Sequence, residues 1–183
     1  MFGYLKNLFQ LIISPQSAWE DISAEMRPLR LLMRRGLMPM VAVACAAQVI
    51  QKVLYLPETG WGQLVVMLMA TAASYVCTYF IFGHLLYTRA RTMTDTGELS
   101  LQKCCTVQNY VLGLLALVQT VTWVLPPSMA LSYLLPAGVS IVMWKAETYL
   151  AIRKDMTLSY YLWGTGCLIL PPYLIQGFFK TII

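Results

Sequence analysis

The chain has 183 residues, of which 58% are hydrophobic and only 11% charged, and its formal net charge is +5. Soluble domains carry roughly 25% charged residues, and a folded soluble domain keeps much of its surface in water. A chain this apolar is therefore predicted to use lipid as its solvent. The sequence has no basic stripe with interleaved aromatic residues, which argues against nucleic acid as a partner.

The first 35 residues are predicted to form an amphipathic cytoplasmic arm that does not cross the membrane. Its apolar face is formed by residues at helical spacing: Leu5, Leu8, Phe9, Ile12 and Ile13. Ser14 and Pro15 predict the start of a second short helix. We expect the arm to lie on the membrane surface, with Trp19 as an interfacial or helix-packing anchor.

Five long apolar segments follow the arm, and a membrane-spanning helix needs about 20 residues. The predicted spans cover residues 37–56, 61–87, 104–125, 128–150 and 158–179. Their joints contain helix breakers, including Gly97 and the turn Pro126–Pro127–Ser128. The predicted fold class is therefore all-α, with a transmembrane bundle of about five helices over residues 36–183. Prolines at positions 39, 136, 171 and 172 predict kinks inside the spans.

The distribution of lysine and arginine predicts the orientation. With five crossings, the N-terminal segment and the second and fourth loops share one side, which then carries 11 of the 13 basic residues. The other side keeps only Lys52 and Lys180. By the positive-inside rule, the N-terminus is predicted to be cytoplasmic and the C-terminus to lie on the opposite side.

Polar and charged residues within the spans are the candidate interaction positions, because such residues are costly in lipid. Lys145 and Glu147 lie near the end of the fourth span, where they either serve a functional site or let Lys145 snorkel to the interface. Gln48, Gln51 and Lys52 share one helix face. They either line a polar cavity or hold neighbouring helices together.

Three further positions carry alternatives of the same kind. Asn109 opens the third span and is expected to form an interhelical hydrogen bond, with either a structural or a functional role. His84 is a proton-relay candidate or an interfacial histidine. Cys104 and Cys105 lie at a membrane boundary, where they are candidates for S-palmitoylation or redox pairing, or are small apolar residues at a helix start.

Motifs for catalysis are missing from the sequence. It contains no Gly-x-Ser-x-Gly, no His-Glu-x-x-His and no phosphate-binding glycine loop. The five cysteines include no Cys-x-x-Cys pair, and the single histidine is distant from them in sequence. We therefore predict that the protein is not an enzyme, with no catalytic residues, no cofactor and no metal site.

The segment Ser14–Ile22, which reads SPQSAWEDI, resembles the opening of bacterial members of the Yip family, the Rab-interacting five-pass membrane proteins. Those chains begin with a short apolar helix, the pattern iSPxxaWxxI, and then a proline and the first span. Pro39 and the Asn109–Tyr110 pair match later features of that layout. The chain departs from it after Tyr110, where Val111–Leu112–Gly113 stands in place of a frequent proline.

The resemblance implies a five-helix bundle with a cytoplasmic N-terminus. Eukaryotic relatives act in membrane trafficking by binding small GTPases, whereas bacterial relatives have no settled activity, so no catalytic residues carry over to this chain.

The leading hypothesis is a non-enzymatic scaffold or adaptor in the bacterial inner membrane. Its expected partners are the lipid bilayer and other membrane or membrane-associated proteins, and homo-oligomerisation stays open. The alternative is a small transporter or channel subunit. In a transporter, Gln48, Gln51, Asn109 and Lys145 would converge on one hydrated site, whereas in a scaffold they would pair locally. Their positions along the spans predict local pairing.

Overall fold

The structure, a computed structural model, describes residues 2–25, 27–55, 58, 60–94, 99–125 and 131–182. Within these ranges the chain is all-α, as predicted, and has no β-strand. The helices are α1 (Phe2–Ile13), α2 (Pro15–Glu25), α3 (Leu29–Tyr55), α4 (Trp61–Arg91), α5 (Leu101–Val124), α6 (Leu131–Leu150) and α7 (residues 157–182). The predicted joints at Gly97 and at 126–128 lie outside the described residues.

Three of the described helices, α3, α4 and α5, are long and apolar enough to cross a membrane, which indicates a membrane protein. The predicted count of five spans goes further than these three helices. Helix α3 extends the predicted span of 37–56 toward the N-terminus and begins at Leu29, because the arginines at 30, 34 and 35 are good helix formers. The predicted arm of residues 1–35 thus contains α1, α2, which ends at Glu25, and the first turns of α3.

Helix α5 is the centre of the bundle. In its most apolar stretch of 18 residues, 72% of the residues are buried, against 39% in the corresponding stretch of α3 and 33% in that of α4. Helix α5 contacts α3, α4, α6 and α7. Burial on all sides explains why α5 carries polar side chains inside an apolar helix, since they find partners on its neighbours.

Helices α3, α4 and α7 each contain a π-helical segment, at Met33–Leu37, Thr78–Phe82 and Thr165–Ile169. Two of these segments lie just before prolines that predict kinks, Pro39 in α3 and the Pro171–Pro172 pair in α7. A π segment shifts the hydrogen-bond register by one residue, which suits a position where proline offers no N–H. Pro136 lies inside α6.

Helix α6 ends in a turn at Ala151, whose φ of 54° lies in the left-handed region. Hydrogen bonds from Ala151 and Ile152 back to the last turn close a Schellman motif, in which glycine is the usual residue. The next residue, Arg153, donates its N–H to the Met93 carbonyl at 3.0 Å, and Thr94 pairs with Ile152 in an isolated bridge. The ends of α4 and α6 therefore meet at one end of the bundle.

Candidate functional site

Helices α1 and α2 form an arm that packs against the bundle. Helix α1 contacts α5, α6 and the π segment of α3, and α2 contacts α6. Trp19 of α2 stacks on Tyr149, near the end of α6. We therefore call the end of the bundle where α4 and α6 end the arm end. The apolar face predicted for α1 is divided: Leu8 is buried together with Leu11, whereas Phe9, Ile12 and Ile13 are exposed. One face of α1 therefore packs on protein, and the expected location of the arm at the membrane surface stays a prediction.

Tyr4 of α1 is inserted between two helices of the bundle. Its side chain is buried, and its hydroxyl donates a hydrogen bond to the main-chain carbonyl of Asn109 at 2.7 Å. A Cβ built on Gly36 of α3 or on Gly113 of α5 would overlap the Tyr4 ring or hydroxyl. The ring also stacks on Tyr110, with centroids 5.0 Å apart. The two glycines thus leave a notch that the Tyr4 side chain fills.

Asn7 connects the two arm helices to the bundle. Its amide donates at 3.1 Å to the hydroxyl of Tyr110 and at 3.1 Å to the carboxylate of Glu25. Glu25 also forms an ion pair with Arg27. The hydrogen bond from Arg27, supported by the one from Asn7, lowers the pKa of the Glu25 carboxyl. Glu25 therefore stays ionised and holds the end of α2 beside α1.

Trp19 anchors α2, and it does so as a helix-packing residue rather than as a headgroup anchor. It is 1% exposed, and its indole N–H donates to the Val142 carbonyl of α6 at 3.2 Å. The indole stacks on Tyr149 at 5.4 Å and meets Tyr110 edge-on at 6.2 Å. A buried indole needs a partner for its N–H, and α6 supplies one.

A groove runs between α2 and the bundle. Two neighbouring cavities of about 230 and 380 Å³ lie along it, and both are lined by Ser23, Lys103 and Tyr149. Glu25 lines the first cavity and Glu20 the second. The Lys103 ammonium lies 5.7 Å from the centre of the Tyr149 ring. The groove therefore combines an aromatic wall with charges of both signs.

Two of the three polar residues predicted to share a face of α3 have separate partners. The Gln48 amide donates to the Thr71 hydroxyl of α4 at 2.7 Å, and Gln48 is buried. Lys52 places its ammonium 4.0 Å from the centre of the Trp61 ring, a cation–π distance. Gln51 is half-buried. Gln48 therefore joins α3 to α4, which fits the alternative in which these residues hold neighbouring helices together rather than line a polar cavity.

Asn109 forms the expected interhelical hydrogen bond, since its amide donates to the Tyr79 hydroxyl of α4 at 3.3 Å. Its neighbour Gln108 donates to the Gly83 carbonyl at 2.8 Å. Gly83 directly follows the π segment of α4, and a Cβ there would meet the Gln108 amide at 2.6 Å. Both side chains of α5 therefore bind α4 beside its π segment.

The remaining candidates lie apart from these pairs. His84 and Lys145 are exposed, on α4 and α6 respectively. Glu147 is half-buried, and one of its carboxylate oxygens is buried without a hydrogen-bond partner among the described residues. The structure thus brings Gln48 to Thr71 and Asn109 to Tyr79, and it leaves Lys145 on the surface.

Sequence reasoning missed a buried polar cluster that joins α4, α5 and α7. The Tyr75 hydroxyl donates to the side-chain amide oxygen of Gln119 at 3.0 Å. The Gln176 amide donates to the Ser74 hydroxyl at 3.2 Å and lies 3.5 Å from the Gln119 oxygen. Gln119 and Gln176 are isolated glutamines in apolar runs, and that isolation is the signal by which they could have been found.

The cysteines are free thiols. Cys104 is fully buried and Cys105 is half-buried, so the interpretation of Cys104 as a small packing residue fits better than modification of its thiol. Among the described residues, no group of three His, Cys, Asp or Glu side chains lies close enough to hold a metal ion.

No family model, no curated protein and no solved structure matches this chain. The Yip-like layout indicated by the Ser14–Ile22 segment therefore stays an expectation. Function has to be inferred from the geometry of the arm, the groove beside it and the polar pairs in the bundle.

Proposed function

We propose that the protein is a non-enzymatic scaffold or adaptor of Yip-like type, embedded in the bacterial inner membrane. The observation that carries the proposal is the docked arm, which Tyr4 and Trp19 attach to the central helix and to α6. Hydrogen bonds between residues far apart in the sequence hold the arm in one position. The groove beside the arm is open to the surface. A fixed platform with an open groove suits the binding of another protein.

The proposed topology has five crossings, with the arm in the cytoplasm. The arm, the end of α4 and the end of α6 all lie at the arm end of the bundle. In the five-crossing topology, 11 of the 13 basic residues lie in the N-terminal segment through the start of α3, around the connection from α4 to α5, and around the connection from α6 to α7. Such segments stay cytoplasmic. Helices α6 and α7 supply the fourth and fifth crossings, since 20 residues of helix extend about 30 Å.

The proposed partner contact lies in the groove between α2 and the bundle. Its lining offers hydrogen-bonding groups, the Tyr149 ring and charges from Lys103 and Glu20. A polypeptide segment with polar and aromatic side chains matches that surface, because interfaces are enriched in aromatic anchors surrounded by polar groups. The partner is accordingly a cytoplasmic or membrane-associated protein.

The alternative, a small transporter or channel subunit, is favoured by one observation. The Tyr75–Gln119–Gln176–Ser74 cluster is buried within the bundle, and polar residues inside spans mark transport pathways in other proteins. The scaffold interpretation is supported by the direct pairing of these groups, because each amide already has a protein partner and needs no transported solute.

Photo-crosslinking in the groove tests the scaffold. A photoreactive amino acid at Ser23 or Gln16 is expected to capture one defined protein in living cells, and Lys103→Glu is expected to abolish the capture. A matched probe at Leu158, an exposed apolar position on α7, is expected to capture lipid instead. Identical captures at Ser23 and Leu158, or capture unaffected by Lys103→Glu, would contradict the proposal.

Cysteine accessibility separates the two functions. In a chain whose five native cysteines are replaced by alanine, cysteines at Gln48, Gln119 and Gln176 are expected to resist a membrane-impermeant thiol reagent in the scaffold. In a transporter they line a hydrated path, so labelling of all three from one side would favour the alternative. Cysteine at Lys154, which is exposed, is the positive control for reagent access.

A further inference from the structure

Helix α3 presents three arginines on its outward face at the arm end of the bundle. Arg30, Arg34 and Arg35 are exposed, and together with Pro28 and Leu31 they line a concave surface of about 490 Å³. None of the three guanidinium groups forms an ion pair or a hydrogen bond with another described residue. Three uncompensated positive charges therefore converge on one concavity.

The docked arm determines which way these arginines point. On the other face of α3, Leu32, Gly36 and Leu37 are buried, and Gly36 lies against the ring of Tyr4. Because α1 occupies that face, the helix cannot rotate to bring the guanidinium groups onto the protein. The arginine face is held toward the surroundings of the bundle.

The position of the arginines along α3 sets their depth. The helical stretch Met38–Tyr55 that follows them has 18 residues, which extends about 27 Å at 1.5 Å per residue and so nearly matches a hydrocarbon core of about 30 Å. The arginines precede this stretch and thus lie at the level of the lipid phosphates. Met38, which is 42% exposed and opens the stretch, lies where acyl chains begin.

We propose that this concavity binds the headgroup phosphate of an anionic phospholipid in the leaflet at the arm end. The planar guanidinium presents a fork of N–H donors that matches phosphate oxygens two at a time, and lysine would offer only a point charge. The site requires that α3 crosses the membrane, and it is independent of the scaffold function.

Lipid binding to the full chain in detergent tests the site, with native mass spectrometry used to count bound phosphatidylglycerol and bound phosphatidylcholine. The R30Q/R34Q/R35Q variant is expected to lose the preference for phosphatidylglycerol, with affinity falling about fivefold for each arginine removed. The matched control K6Q/K145Q/K154Q removes the same charge from exposed lysines elsewhere, and is expected to bind as the unaltered chain does.

Two further measurements address folding and the source of the phosphate. R30K/R34K/R35K keeps the charge and the helix, and is expected to lose affinity by a smaller factor because the bidentate fork is gone. A large excess of inorganic phosphate is not expected to displace the lipid. Equal binding by the arginine-to-glutamine variant, equal loss in the lysine control, or displacement by inorganic phosphate would overturn the proposal, the last by indicating a soluble-anion site.

Discussion

The hydroxyl of Tyr4 occupies the space that a side chain at position 113 would need, since a Cβ built on Gly113 would overlap it. That hydroxyl donates to the carbonyl of Asn109 at 2.7 Å, one helical turn before Gly113. The missing side chain at 113 is what leaves the carbonyl open to a second donor. The first helix of the arm is thereby attached to the central helix of the bundle.

Gly113→Ala is expected to release the arm, although alanine is the better helix former by about 1 kcal/mol. The added methyl group collides with the Tyr4 hydroxyl, so Tyr4 must leave the notch and its buried hydrogen bond is lost. Trypsin cleavage after Lys6, measured in membranes, is expected to become faster. Gly138→Ala is the matched control, because a Cβ at 138 meets nothing within 4 Å.

Combining Gly113→Ala with Tyr4→Phe tests whether the clash itself is responsible. Tyr4→Phe alone is expected to weaken arm docking by about 1 kcal/mol through the lost hydrogen bond. Because phenylalanine lacks the oxygen nearest to position 113, the double variant is expected to lose less than the sum of the two single losses. Strictly additive losses would contradict the proposed steric relationship.

Trp19→Ala is expected to detach α2 while the spanning helices stay inserted. Removal of a buried tryptophan costs about 3–5 kcal/mol, and the loss falls on α2 and its contact with α6. Trp19→Phe keeps most of the packing and loses the bond to Val142, so its effect should be near 1 kcal/mol. Hydrogen exchange of residues 15–25 measures both, with Phe9→Ala, at an exposed position, as the control. Unchanged exchange in Trp19→Ala would show that α2 does not depend on this anchor.

Arm docking is expected to weaken in acid because of Glu25. The hydrogen bond from Arg27 lowers the pKa of the Glu25 carboxyl from its ordinary value of 4.5, so the ionised carboxylate is favoured in the docked state. Its stabilisation is fully present above pH 4.5 and is lost as the pH falls through the lowered pKa. Protease protection of the arm, followed from about pH 6 to pH 3, is expected to fall in the unaltered chain. Glu25→Gln is expected to flatten this dependence, and an identical profile in both chains would assign the acid response to another group.

Reporter fusions test the five-crossing proposal. Fusions after Gly97 and Asp155 are expected to report cytoplasm, because both follow an even number of proposed crossings. Fusions after Glu58 and Ile183 are expected to report the opposite side. A cytoplasmic reporter at Ile183 would exclude five crossings and would reverse the inferred side of α7.

The apolar runs predicted the helices closely, yet they did not predict which residues of the arm face the bundle. The sequence pattern of α1 groups Leu8 with Phe9, Ile12 and Ile13, but in the structure Leu8 faces protein and the other three are exposed. The pattern of α3 hides the extension to Leu29, because arginines interrupt its apolar run. In both cases periodicity records which residues avoid water, and in a membrane protein lipid and protein satisfy that requirement equally.

The sequence by itself determined the helical class, the positions of the helices and the membrane as solvent, because each follows from local length and composition. Tertiary structure decided which polar groups meet. Tyr4 with Asn109 and Gln119 with Gln176 are paired across long stretches of chain, and their meeting depends on how each helix is rotated about its axis. Lipid tails are as apolar as the side chains they contact, so rotation is set by glycine notches and hydrogen bonds between helices rather than by hydrophobic pattern.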